Sequence, residues 1–122
     1  MKKFALMSST LLAFVAIPFM LTAADETTTL KGEAVDLSCY LKGMSGVGHA
    51  SCAAKCANDG QPIGFVTDVD GKKVLYLVMN AGSADVKETL ADVWGKQIEA
   101  TGKVIDQEGL KIFQIEKVKE AS

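Results

Sequence analysis

All three cysteines and the only histidine of this chain fall in one segment, between positions 39 and 56. Thiols and imidazoles bind soft and borderline transition metals, and thiols also form disulfides or act as nucleophiles. Because the number of cysteines is odd, a single disulfide would leave one thiol over. The fold must therefore bring a short, reactive segment to one point and account for three sulfur atoms there.

The spacing of this segment predicts a metal site. On a helix that begins near His49, residues 49, 52 and 56 are three and then four residues apart and share one face. Cys39 is predicted at the end of the first strand. The glycine-rich loop that follows can bring Cys39 over the helix face that bears the other three residues. Three thiolates and a histidine are a tetrahedral ligand set for zinc, and thiolates also suit Cu(I). We therefore expect Cys39, His49, Cys52 and Cys56 to bind zinc or copper.

Three neighbouring residues are candidates for supporting roles. Asp36 could orient His49 as a carboxylate partner, or it could be a solvated strand end. Tyr40 could cover the site or donate a hydrogen bond to it, or it could pack on the barrel as an ordinary aromatic residue. Met44 could add a thioether to a copper site, or it could pack on the barrel from its loop.

Two other functions compete with metal binding. The first is a binding module stabilised by a disulfide from Cys39 to Cys52 or Cys56, whose barrel face binds a peptide, a small ligand or a partner protein. Such a disulfide would add about 3 kcal/mol to the free energy of unfolding. A thiol–disulfide redox protein is the second, although the cysteines at 52 and 56 are one residue further apart than in the thioredoxin-type motif. Four protein ligands would leave a metal without an open position, which argues against hydrolytic catalysis and against an enzyme.

The first 24 residues have the pattern of a secretory signal peptide. Lys2 and Lys3 precede an apolar run over 4–21, and small residues follow at positions 22–24. We expect a single domain over 25–122, located in the periplasm or secreted, with no membrane span after signal removal. That compartment is oxidising, so thiols there are paired, bound to metal or open to attack.

The charge of the predicted domain argues against nucleic acid as a partner. Residues 25–122 carry eleven lysines, no arginine and fifteen acidic residues, so the net charge is −4. Such a domain lacks the arginine side chains that bind phosphate in a bidentate manner. A periplasmic protein partner remains compatible with the sequence, and the sequence gives no indication of the oligomeric state.

The pattern of strands and helices predicts a mainly β (α+β) fold, a small OB-fold-like barrel of five strands. A short helix that bears the Cys/His segment follows strand 1, and a second helix, capped by Ser83, lies between strands 3 and 4. Gly32 and Gly102 interrupt similar strand patterns and predict bulges or bends in strands 1 and 4. The predicted strands are 27–37, 63–69, 73–79, 97–105 and 110–118, and the predicted helices are 49–58 and 84–93.

The motif around the cysteines resembles that of a group of small exported bacterial proteins with an OB-like plan, most of them uncharacterised. The resemblance is carried by Asp-x-x-Cys-Tyr at 36–40, His-x-x-Cys-Ala-x-x-Cys at 49–56 and Gly-x-Pro-x-Gly at 60–64. It implies that these residues act as one site and implies no particular activity.

Overall fold

The computed structural model describes residues 26–122, and the predicted signal peptide at 1–24 lies outside this range. In the described range, no helix is long and apolar enough to cross a membrane. The elements in chain order are β1 (Thr27–Asp36), α1 (Leu37–Tyr40), a 3-10 turn (Val47–His49), α2 (Ala50–Asn58), β2 (Ile63–Val69), β3 (Lys72–Asn80), α3 (Val86–Thr89), β4 (Ile98–Gln107) and β5 (Leu110–Glu120).

The five strands form a closed barrel in the order β1-β2-β3-β5-β4, with β4 pairing back to β1. All neighbours are antiparallel except β3 and β5, which are parallel. The prediction of a small OB-fold-like, mainly β barrel is confirmed.

The barrel interior is filled by aromatic and aliphatic side chains. Phe65 of β2 and Phe113 of β5 are fully buried and meet edge to face, with ring centroids 5.3 Å apart. Helix α2 contributes two small buried residues, Ala53 and Ala57, to the same core. Small side chains on this face allow the helix backbone to lie close to the barrel, which brings the residues flanking them near the end of β1.

Two of the strand glycines, Gly32 and Gly102, lie where a methyl group would overlap the backbone of a neighbouring strand. Gly32 pairs with both Thr67 of β2 and Ile98 of β4, so β1 changes partners there. Gly102 lies at the register shift between β4 and β5. A methyl group at Gly102 would lie 2.0 Å from the carbonyl oxygen of Gln114. The predicted bulge in β4 is confirmed.

Some predicted boundaries were wrong. Helix α3 spans only Val86–Thr89, and its N-cap is Asp85, whose carboxylate accepts a hydrogen bond from the Lys87 N–H, rather than Ser83. The predicted helical stripe is nevertheless buried. Its members are Val86, Leu90, Val93 and Trp94.

The segment that bears the cysteines also differs from the prediction. The first strand ends at Asp36, and Cys39 lies on the additional helix α1 rather than at the end of the strand. His49 ends the 3-10 turn, and α2 begins one residue later. The physical reason for the early strand end is the side chain of Asp36, which caps α1.

We expect Gly102→Ala to lower the free energy of unfolding by at least about 2 kcal/mol, because its methyl group overlaps the backbone of β5. Gly48→Ala is the matched control, since a methyl group there has no neighbour within 4 Å. Urea unfolding of both variants, with chelator present, measures the difference. Equal stability of the two variants would contradict the close approach at Gly102.

Candidate metal centre

Asp36 positions Cys39. The Asp36 side chain is almost completely buried at the end of β1, and its Oδ1 accepts hydrogen bonds from the Cys39 N–H at 2.9 Å and the Ser38 hydroxyl at 2.6 Å. The Leu37 N–H bonds to the Pro62 carbonyl at 2.9 Å, which ties the turn to the start of β2. Cys39 is therefore held at the mouth of the barrel and is itself buried.

The loop between α1 and α2 is tied back to β1. The Gly46 N–H donates to Glu33 Oε1 at 2.6 Å, and the Gly46 carbonyl accepts from the His49 N–H at 3.0 Å. Gly46 has a φ of +83°, which favours glycine. The tie at Gly46 brings His49 over the end of β1.

The three thiols form one group. Cys52 and Cys56 are one turn apart on α2, and their Sγ atoms and that of Cys39 all lie within 4.8 Å of one another. Cys39 is buried, Cys56 is half-buried and Cys52 is exposed. The group thus extends from the barrel mouth to the surface.

His49 faces Asp36 and Cys39, and the donor atoms of these three residues also lie within 4.8 Å of one another. His49 Nε2 is 3.5 Å from Asp36 Oδ2, and the two side chains are 16% and 1% exposed. Both atoms are buried and have no hydrogen-bond partner among the described residues. The two groups of donors share Cys39.

Burial and charge favour the neutral form of two of the thiols. Burial, and then the neighbouring Asp36 carboxylate, raises the pKa of the Cys39 thiol. Burial raises the pKa of Cys56 as well, again with the charge of Asp36 contributing. Burial also acts to raise the pKa of Asp36, but hydrogen bonds from Ser38 and Cys39 outweigh it, so this pKa lies below its ordinary value. The carboxylate therefore carries a negative charge at neutral pH.

Cys39, Cys52, Cys56 and His49 lie close enough to bind a metal ion. Sulfur ligands of a tetrahedral zinc ion, each about 2.3 Å from it, lie about 3.8 Å apart, which is within the separation of these thiols. The donor set can hold a soft or borderline cation. Each thiol must lose its proton on binding, so the affinity falls as the pH falls.

The other candidates are divided between two crevices. Met44 lines a narrow crevice together with Asp36 and His49, so it lies beside the donor groups. Tyr40 is half-buried and lines a different crevice, with Lys31 and Thr67.

Sequence reasoning missed Glu33 and Ser38. The Asp-x-Ser pattern at positions 36–38 is a capping signal that could have revealed α1. No local signal identifies Glu33, because its partner Gly46 is distant in the sequence.

Comparison with protein-family models, with curated proteins and with solved structures gives no match for this chain.

We expect Glu33→Ala to accelerate hydrogen exchange of the Gly46 amide by about tenfold or more, because a hydrogen bond to a charged acceptor is lost. Glu33→Gln, which retains an acceptor oxygen, should have a smaller effect. NMR-detected exchange measures both variants. Unchanged exchange in Glu33→Ala would mean that the loop is held by other contacts.

Proposed function

We propose that this chain is an exported, periplasmic metal-binding protein that holds zinc or copper through Cys39, Cys52, Cys56 and His49. The observation that carries the proposal is the convergence of three thiols from two separate helices within 4.8 Å of one another. Cys39 is buried on α1, whereas Cys52 and Cys56 are an i,i+4 pair on α2, so the fold rather than the local sequence brings them together. A nitrogen donor lies next to them.

The exposure of the thiols favours a carrier role over a closed structural site. Cys52 is exposed at the surface end of the group, so an incoming ligand from a partner protein could reach an ion there and displace this thiolate. Structural zinc sites are usually closed on all sides. We therefore include a periplasmic donor or acceptor protein in the proposal.

The two competing functions have less support. A redox thiol reacts as the thiolate, and the raised pKa of both Cys39 and Cys56 disfavours that form. A disulfide between any two of the thiols is compatible with their proximity, but it leaves the third thiol without a role. Metal binding uses all three.

Metal removal should lower the thermal stability of the protein. At a free metal concentration of one hundred times Kd, binding adds about 2.7 kcal/mol to the free energy of unfolding. For a domain of this size that is a rise in Tm on the order of 10 °C. We expect Cys52→Ser to lose the ion held by the three thiols and most of this rise in Tm, as measured by elemental analysis and differential scanning calorimetry.

Ser51→Ala is the matched control, because Ser51 is the exposed neighbour of Cys52 on α2. It should retain the metal and the shift in Tm. Full metal content and an unchanged Tm in Cys52→Ser would overturn the proposal.

Native mass spectrometry of the protein purified from a periplasm, without chelator or reductant, distinguishes the alternatives. A mass raised by bound metal with no disulfide after denaturation supports the proposal. A mass about two daltons below the reduced chain, without metal, supports the disulfide-stapled module instead. The same spectrum tests the export, because removal of the signal peptide predicts a protein that begins at Asp25.

A further inference from the structure

We propose that a second metal ion binds beside the first, between Asp36 Oδ2, His49 Nε2 and Cys39 Sγ. The inference rests on the proposed function, because the Cys39 thiolate is shared by the two ions. With both ions bound, His49 belongs to the second position, and the first ion is held by sulfur atoms alone. Cu(I) accepts such a set of soft thiolates.

The separation of the nitrogen and the oxygen fits two ligands of one ion better than it fits a hydrogen bond. His49 Nε2 and Asp36 Oδ2 are 3.5 Å apart. A hydrogen bond between nitrogen and oxygen is about 2.7 to 3.2 Å long. Two tetrahedral ligands, each about 2.0 to 2.1 Å from zinc, lie about 3.4 Å apart. The two atoms are therefore already placed at the spacing of ligands.

Both atoms lack any other partner. Neither has a hydrogen bond to the described part of the chain, although each is buried. A buried polar atom without a partner is rare in proteins, because its lost hydration is not replaced. Asp36 uses only Oδ1 for the cap of α1 and for Ser38, so Oδ2 is left free to bind a cation.

The crevice beside these atoms is narrow. Asp36 and His49 line it, with Met44 at its side. A dehydrated transition-metal ion is smaller than a water molecule, so an ion between the two donors needs less space than the roughly 10 to 15 Å³ that a bridging water needs.

The charge and type of the donors indicate the class of ion. Asp36 is a buried carboxylate, and the thiolates of a filled three-sulfur position would add negative charge next to it. A buried charge requires a partner of opposite sign. One oxygen, one nitrogen and one sulfur are ligands of a borderline divalent ion such as Zn²⁺.

Zinc titration of the reduced protein, followed by native mass spectrometry, tests the proposal. We expect two zinc ions for each chain. Asp36→Asn, which keeps an oxygen for the cap of α1 but removes the charge, should bind the second ion at least about tenfold more weakly. His49→Ala should do the same, and it leaves the cap unchanged if Asp36→Asn fails to fold.

Asp85→Asn is the matched control. Asp85 caps α3 through the Lys87 N–H at 2.9 Å, as Asp36 caps α1, and it belongs to neither donor group. This variant should bind two ions. Cys52→Ser should lose the ion of the three-sulfur position and retain the other.

The outcomes separate the two proposals. One ion in the unmodified protein, or two ions of undiminished affinity in Asp36→Asn and His49→Ala, would overturn the second position. If that single ion is lost in Cys52→Ser, the proposed function stands without the second ion. No bound ion in the unmodified protein would overturn both.

Discussion

The site depends on one buried carboxylate. Asp36 is the last residue of β1 and pairs with Ile63 of β2, so the register of the barrel fixes where its side chain lies. One of its oxygens begins α1 and holds Cys39, and the other faces His49. A shift of β1 by one residue would turn Asp36 to the opposite face and separate these donors.

Much of the barrel could be predicted from the sequence, because its signals are local. Asp70 and Gly71, both with positive φ, form the turn between β2 and β3 that this dipeptide predicts. Gly102 indicated the bulge in β4 for the same local reason. The helix boundaries were less accurate, since a cap such as Asp85 competes with a neighbouring serine over a distance of two residues.

The proximity of the predicted ligands could be derived from the sequence, but the way in which they group could not. The i,i+4 spacing of Cys52 and Cys56 follows from helix geometry alone. The position of His49 depends instead on the 3-10 turn and on the bond between Gly46 and Glu33, which joins distant parts of the chain. Helix spacing therefore predicted His49 with the α2 cysteines, whereas in the structure it groups with Asp36 and Cys39.

The donors change in character from the interior to the surface. The buried end offers the oxygen of Asp36 and the nitrogen of His49, whereas the exposed end offers the thiol of Cys52. On the proposed arrangement, an ion at the exposed end can exchange with a partner while the fold stays closed. Glu33 and Gly46, joined by their hydrogen bond, line the crevice beside the buried end. On the same proposed arrangement, the hydrogen bond that places His49 would slow the release of an inner ion.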